Sequence, residues 1–328
     1  MSYTMKLPFL AFLGLFLLFS TSPLGTQLLP PSTILSIEKL VLQKSESSTY
    51  NRYASVGSWV TDSETGRTRY TSNSIYNLLP TKSLVDLNRR NTVFVNCGEK
   101  RSSSGFVIDV KSYINDRSDG TYKHEEKSKL VSVCEGEIVV TAAHVAESHI
   151  KEGCGVYHQD EGTGFSSVNK HSMVKVSSIY YNKNDSINSD YAFLKLDKKY
   201  LGDGLELCNS EEVNKYICSI DNAVTRSNMS LMLSQSYGGG LDELMLSDSC
   251  CVDSSRVSTK LNIAHKCHSS GGASGGALIS VDRAKGSSCV IGVHSGSDPH
   301  TIHNYAAPTY NESFRKELDR FIKTQCSI

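Results

Sequence analysis

Three short stretches of the chain carry side chains that together could perform nucleophilic acyl transfer. In chain order they supply His144 within TAAH, Asp190 within SDYAFLKL and Ser274 within GGASGGAL. A serine hydroxyl is a weak nucleophile at neutral pH and needs a base within hydrogen-bond reach. A histidine can be that base, and an aspartate on its other ring nitrogen fixes the tautomer and stabilises the imidazolium. The set predicts a Ser-His-Asp triad.

The glycines around Ser274 favour a tight turn that could also hold a developing oxyanion. Glycine adopts backbone conformations, and permits close approaches, that other residues avoid. We therefore expect the backbone amides of Gly272 and Ser274 to point at one oxyanion. Removing such a donor typically costs about 3–4 kcal/mol of transition-state stabilisation.

Short β-type segments separated by polar turns must position these residues. Their Val, Ile and Tyr content is typical of antiparallel sheets that close into barrels. Strands are predicted over 92–95, 105–110, 129–133, 137–141, 173–180, 191–196, 277–281 and 290–294. The charged insert over 111–129 is predicted to be an exposed loop or hairpin. Near the end, Asn311 could cap a helix over 312–323 whose apolar residues share one face.

The composition is that of a soluble globular protein. The chain has 328 residues, of which 39% are hydrophobic and 21% charged, and its formal net charge is zero. A neutral chain has no general attraction for nucleic acid or an anionic membrane, so neither is expected as a partner. The sequence contains no CxxC pair and no HExxH helix, so no metal or other cofactor is expected.

The N-terminal 90 residues divide into two segments. Lys6 precedes an apolar run over 7–19 that is too short for a comfortable membrane span, which predicts a secretory signal peptide over 1–22. A buried core helix is the alternative. Residues 23–90 lack cysteine and end at a dibasic pair, which predicts a propeptide removed near Arg90. A permanent N-terminal extension is the alternative there. The catalytic domain would then cover 91–328.

The cysteines agree with export from the cell. All ten lie at or after Cys97, and an even number of cysteines in a secreted chain predicts disulfides. The pairing cannot be derived from sequence alone. We favour Cys134 with Cys154 and Cys267 with Cys289, with metal binding as the alternative use.

The three motifs, in the order His, Asp, Ser, resemble those of the chymotrypsin-like serine peptidases. The resemblance implies an all-β fold, a double six-stranded antiparallel β-barrel with a C-terminal α-helix, and an active site between the barrels. Ala273 departs from the digestive branch, in which an aspartate at this position pairs with the new N-terminal amine. Activation at Arg90 would therefore need another route.

Around the expected specificity pocket the chain resembles the bacterial glutamyl endopeptidases. His268 lies where trypsin-like members carry the aspartate that receives a basic side chain. The stretch GVHSGS implies that His294, Ser269 and Ser297 bind an acidic side chain, preferentially Glu, before the cleaved bond. The alternative is that His294 is a buried structural histidine. His265 and His268 are expected to be exposed.

The sequence therefore predicts a secreted, monomeric serine endopeptidase that acts on polypeptides. One alternative is a serine peptidase without acidic preference. The other is a non-catalytic secreted binding protein built on a peptidase scaffold.

Overall fold

The structure is a computed structural model. It describes residues 59–61, 68–70, 87, 90–97, 102–117, 120–147, 153–157, 173–181, 189–200, 202–209, 231–237, 244–247, 262–265, 269, 272–282, 287–297 and 304–327. The predicted signal peptide over 1–22, His268 and Cys267 lie outside the described residues.

Fourteen strands are assigned in these residues. They are β1 (Trp59–Thr61), β2 (Thr68–Tyr70), β3 (Thr92–Cys97), β4 (Ser102–Val107), β5 (Ile138–Thr141), β6 (Cys154–Tyr157), β7 (Val174–Tyr181), β8 (Ala192–Leu196), β9 (Leu231–Tyr237), β10 (Leu244–Ser247), β11 (Ile263–His265), β12 (Ala277–Asp282), β13 (Ser287–Ser297) and β14 (Asn304–Pro308). The helices that concern the site are α1 (Val110–Asp116), α2 (His124–Cys134), α3 (Ala143–Glu147) and α4 (Glu312–Gln325).

Six strands form a closed antiparallel barrel in the order β3-β4-β5-β8-β7-β6. Its strands are rich in β-branched residues, which pack well on a pleated surface. Inward-facing residues such as Val95, Val139, Val156 and Leu194 are fully buried and form one apolar cluster. Strands β5 and β8, which precede His144 and follow Asp190, are direct neighbours in this barrel.

The other strands form an eight-stranded sheet in the order β1-β2-β10-β9-β12-β13-β14-β11. The prediction of a mostly β protein with a six-stranded barrel and a C-terminal helix is confirmed. The second sheet has more strands than predicted because β2 pairs with β10, with Thr68 opposite Leu246 and Arg69 opposite Met245. Strands β1 and β2 thus come from the segment predicted to be a propeptide. Cleavage at Arg90 stays a prediction.

The insert after β4 is helical, so the loop or hairpin predicted over 111–129 and the strand predicted over 129–133 are wrong. Asp109 caps α1 by accepting a hydrogen bond from the Ser112 amide at 2.7 Å. In α2 the buried residues Leu130 and Cys134 are four apart and share a helix face. That spacing outweighs the alternation of Val131 and Val133, which resembles a strand.

The C-terminal helix α4 supports the strand that follows Asp190. Its predicted apolar face is buried, and Asn311 caps it by accepting a hydrogen bond from the Ser313 amide at 3.2 Å. The Phe314 ring lies 4.8 Å from that of Tyr191 and 5.2 Å from that of Phe193, between centroids. Among the described residues no helix combines the length and hydropathy needed to cross a bilayer.

Three disulfides join Cys97 to Cys154, Cys134 to Cys326, and Cys208 to Cys289. The predicted pairs Cys134–Cys154 and Cys267–Cys289 are therefore wrong. Residues 97 and 154 are direct partners on β3 and β6, and residue 134 ends α2, which packs beside α4. Partners are set by strand register and helix packing, neither of which follows from nearness to the catalytic motifs.

Candidate active site

His144 and Asp190 form a two-point contact where two neighbouring barrel strands meet. His144 lies in the short helix α3, directly after β5, and Asp190 lies just before β8. The Asp190 carboxylate accepts from the His144 amide at 3.0 Å and lies 2.8 Å from His144 Nδ1. The imidazole is 45% exposed whereas the carboxylate is 13% exposed. With Nδ1 engaged, Nε2 is the ring nitrogen that can act as a base.

The pKa of Asp190 lies below its ordinary value. Burial by itself raises the pKa of this carboxyl, but the hydrogen bond and charge of the His144 ring lower it more, together with bonds from the Ser295 hydroxyl and the His144 amide. The carboxyl is consequently ionised at neutral pH, the state needed to stabilise an imidazolium.

Ser295 connects the nucleophile candidate to this pair. The Ser295 hydroxyl donates to Asp190 Oδ2, and the Ser295 carbonyl accepts from Ser274 Oγ at 3.1 Å. The ladder between β13 and β14 is irregular between His294 and Gly296, so Ser295 lies at a bulge. Bulges beside active sites commonly redirect a side chain. Ser295 thereby brings Ser274, His144 and Asp190 together. The Ser274 hydroxyl donates to the Ser295 carbonyl instead of to His144.

Residues 272–276, which we call the nucleophile loop, turn sharply at two glycines. The φ angles of Gly272 and Gly275 are 89° and 85°, in the region that favours glycine. The Gly275 amide donates to the His294 carbonyl at 2.7 Å, and the Gly276 amide to the Ala273 carbonyl at 2.9 Å. Within the described part of the chain, neither the Gly272 nor the Ser274 amide has an acceptor. These are the two amides predicted to hold the oxyanion.

Replacing Gly275 with alanine is expected to destabilise the fold. The new Cβ would lie 2.1 Å from the Ser104 carbonyl oxygen and 2.2 Å from Thr141 Oγ1. Because of these close contacts and the positive φ of Gly275, we expect the free energy of unfolding to fall by at least about 2 kcal/mol. Denaturant unfolding measures this. Gly296→Ala is the control, since no described residue lies within 4 Å of the Cβ that alanine would add there; equal midpoints for the two variants would contradict the expectation.

Of the residues predicted to select the substrate, His294 and Ser297 lie on β13, and Ser269 lies outside the strands, beside the start of β14. Ser269 Oγ lies 2.9 Å from Asn304 Oδ1 and donates to it. Asn304, the first residue of β14, is paired with Ser297 on β13 and with His265 on β11. This register brings the backbone of Ser297 to the same part of the sheet as Ser269. The side chain of Ser297 lies outside the described part of the structure.

His294 and His265 form a buried imidazole pair in this sheet. His294 is 2% exposed and His265 is 0% exposed, and His294 Nδ1 lies 3.2 Å from His265 Nε2. The prediction that His265 is exposed is therefore wrong: it lies on β11, with all three residues buried. Within the described residues no group of three His, Cys, Asp or Glu side chains could hold a metal ion.

Sequence reasoning missed the serines that hold the site together. In the sequence Ser295 is only one residue of GVHSGS, and Ser103 and Ser104 belong to none of the motifs that predict the site. Ser104 donates from its amide to the Ser274 carbonyl at 2.9 Å, and Ser103 and Ser104 donate hydroxyl hydrogen bonds to the nucleophile loop. The signal that could have found Ser103 and Ser104 is a run of three serines at the start of a strand whose remaining residues are apolar.

Comparison with solved structures finds low-identity similarity to several proteases. A serine endoprotease from Yersinia pestis is 14% identical, with a TM-score of 0.47, over 74% of this chain and 66% of that one. The similar structures are chymotrypsin-fold serine proteases. They include an inactivated protease paralogue of the scabies mite (13% identity, TM-score 0.47, covering 73% and 94% of the two chains). They also include a Glu endopeptidase (13% identity, TM-score 0.44, 72% and 91%).

No protein-family model and no curated protein sequence matches the chain. At these identities and TM-scores the similarity carries no argument about chemistry, which has to come from the residues of this chain.

Proposed function

We propose that this chain is a serine endopeptidase that hydrolyses peptide bonds through an acyl-enzyme. The observation that carries the proposal is the two-point contact between Asp190 and His144, linked through Ser295 to Ser274. A carboxylate on Nδ1 and on the amide of one histidine, beside a serine in a glycine turn, is the arrangement that nucleophilic catalysis requires.

In the proposed acylation step Ser274 Oγ forms a bond to the carbonyl carbon of the scissile peptide. Rotation about χ1 moves the hydroxyl from the Ser295 carbonyl to His144 Nε2, a hydrogen bond that commonly tightens only when substrate binds. His144 takes the hydroxyl proton, and the Gly272 and Ser274 amides stabilise the oxyanion. Collapse of the tetrahedral intermediate breaks the C–N bond, and His144 gives the proton to the departing amine.

Deacylation repeats these steps with water as the nucleophile. His144 removes a proton from water, the hydroxide oxygen attacks the ester carbonyl, and Ser274 Oγ leaves with the proton returned by His144. Asp190 keeps Nδ1 protonated throughout and stabilises each imidazolium. Each cycle consumes one water and regenerates the free serine.

The proposed substrate preference is an acidic residue, Glu above others, before the scissile bond. If His265 Nε2–H donates to His294 Nδ1, the proton of neutral His294 is on Nε2, which is then a donor for a carboxylate. Ser269 and Ser297 would supply hydroxyl donors. Protonation of His294 would reverse the bond between the two rings, so that His294 Nδ1–H donates to His265 Nε2, and would add positive charge to the Nε2–H donor.

Replacing His294 with asparagine is expected to remove most of this preference. For matched peptides that differ only in Glu or Gln before the bond, the ratio of kcat/KM values should fall about tenfold or more, because a charge-assisted hydrogen bond is lost. The ratio is unaffected by a fraction of unfolded enzyme. The exposed residue His124 provides the control variant His124→Asn. An unchanged ratio in His294→Asn would assign His294 a structural role.

We further propose that the enzyme is secreted and made as a precursor. The signal-like segment over 1–22 and the three disulfides support export. Arg90 is exposed, whereas Asn91 is buried and accepts a hydrogen bond from the Gly204 amide at 2.9 Å. Cleavage of the peptide bond between Arg90 and Asn91 would therefore create a new N-terminus that is held against the closed barrel.

Cleavage-site profiling in a denatured protein mixture tests the proposed function. The proposal predicts new chain ends, enriched in Glu at the residue before the cut. Cuts without acidic enrichment would support a peptidase of other specificity. No cuts by the purified domain, before or after processing near Arg90, would support a binding protein on a peptidase scaffold and overturn the proposal.

A further inference from the structure

Two adjacent serines on β4 of the closed barrel donate hydrogen bonds to carbonyl groups of the nucleophile loop. This loop leads into β12 of the eight-stranded sheet. Ser104 Oγ donates to the Gly272 carbonyl at 2.8 Å. The Ser274 carbonyl accepts from Ser103 Oγ and also from the Ser104 amide, the latter at 2.9 Å. We call Ser103 and Ser104 the serine clamp. Both are buried, at 3% and 0% exposure, so a lost bond would not simply be replaced by bulk water.

The serine clamp is itself tied to the strand that leads to the candidate base. Thr141, the last residue of β5, donates from Oγ1 to the Ser104 carbonyl at 2.7 Å. His144 follows three residues later. The hydrogen bonds therefore run from the histidine side of the site, through Ser104, into the nucleophile loop. They join the two halves of the structure at the point where the chemistry is proposed.

These bonds fix the planes of peptide groups in the loop. The Gly272 carbonyl is held by Ser104, the Ser274 carbonyl by both clamp residues, and the Gly275 amide by the His294 carbonyl at 2.7 Å. Each peptide group is planar and rigid, so fixing its carbonyl restricts the rotation of the adjoining backbone. Among the described residues the amides of Gly272, Ala273 and Ser274 have no acceptor, and those of Gly272 and Ser274 are the two predicted to hold the oxyanion.

We propose that Ser104, assisted by Ser103, is a positioning residue that orients the Gly272 and Ser274 amides toward the oxyanion. This inference rests on the proposed peptidase function. Ser104 carries the larger share because its hydroxyl is the donor that the described residues offer to the Gly272 carbonyl. Ser103 shares its acceptor with the Ser104 amide, so its loss leaves one donor in place. Neither serine touches the substrate.

Ser104→Ala is expected to lower kcat about tenfold to a hundredfold with little change in KM, because small displacements of catalytic groups cost rate. Ser103→Ala should show a smaller loss of kcat in the same direction. The matched control is Ser280→Ala on β12: Ser280 is 1% exposed, and its hydroxyl has no hydrogen-bond partner among the described residues. Removing it deletes a buried hydroxyl of the same size without breaking a bond, so kcat should stay at the wild-type value.

Hydrogen–deuterium exchange supplies a readout that does not depend on activity. Peptides covering 272–282 should exchange faster in Ser104→Ala than in wild type or Ser280→Ala, because the loop has lost an anchor. If Ser104→Ala does not fold, kcat and loop exchange are measured on Ser103→Ala instead. Wild-type loop exchange, together with a kcat equal to that of Ser280→Ala, would overturn the proposal. If the wild-type protein cleaves no peptide, the peptidase proposal fails, while exchange still decides whether the clamp holds the loop.

Discussion

Replacing Ser274 with alanine is expected to abolish peptide hydrolysis. Alanine has no oxygen to attack the scissile carbonyl, and loss of the nucleophile in such a triad lowers kcat by about 10⁶-fold. Among the described residues the Ser274 hydroxyl makes one hydrogen bond, to the Ser295 carbonyl, so the fold should tolerate the change. Steady-state kinetics on a peptide substrate, with thermal unfolding measured in parallel, checks both statements.

His144→Ala provides the matched comparison for this result. If the serine and the histidine act as one unit, the double variant should be no slower than either single variant. Ser128→Ala, at an exposed position of α2, controls for the substitution itself. A folded Ser274→Ala protein that retains a tenth of the wild-type kcat would contradict the mechanism.

Replacing Asp190 with asparagine is expected to lower kcat about 10⁴-fold near neutral pH. The amide nitrogen of asparagine can donate to His144 Nδ1, which favours the tautomer with its proton on Nε2 and removes the base. The shape of the contact is otherwise kept. A pH profile of kcat/KM for wild type and variant measures the loss. Asp197→Asn, which removes an exposed carboxylate just after β8, is the control.

Asp190→Asn is also expected to change how the free energy of unfolding depends on pH. The pKa of Asp190 is lowered in the folded protein, so its ionised form stabilises the fold above the unfolded pKa of about 3.9. This stabilisation is lost as pH falls through the lower, folded-state pKa. The difference in unfolding free energy between wild type and Asp190→Asn should therefore narrow below about pH 4. For catalysis, a kcat of Asp190→Asn within tenfold of the wild-type value would contradict the role given to Asp190.

The parts of the site that follow from sequence are those whose chemistry is local. A glycine turn around Ser274, a histidine after an apolar strand and an aspartate before another strand are each visible in a few letters. Most strands could be predicted as well, because β-branched runs such as those of β5 and β8 have few other uses. The C-terminal helix followed from its cap at Asn311 and its regular apolar spacing.

The parts that could not be predicted depend on contacts distant in sequence. Ser295 reaches Asp190 because of a bulge in β13, and the serine clamp reaches Gly272 across 168 residues of sequence. His265 is buried against His294 because β11 and β13 flank β14. Ser295 and His265 have no local pattern that distinguishes them from ordinary strand residues, and the run of serines at 102–104 does not indicate which distant residues it contacts.

The insert after β4 was mispredicted for a related reason. Alternating valines at the end of α2 indicate a strand when only neighbours are considered. Their environment is decided by α4, far along the chain, where Asp319 accepts hydrogen bonds from Tyr113 at 2.8 Å and Tyr122 at 2.7 Å. These contacts and the disulfide from residue 134 to residue 326 fasten the insert to the C-terminal helix.

Labelling with a fluorophosphonate probe, followed by mass-spectrometric mapping of the adduct, tests the central claim most directly. The probe reacts with a serine only when a neighbouring base and an oxyanion site activate it. The proposed mechanism predicts one adduct, on Ser274, that is absent in Ser274→Ala and strongly slowed in His144→Ala. No adduct on Ser274 in folded protein processed near Arg90, or equal labelling of wild type and Ser274→Ala, would contradict it.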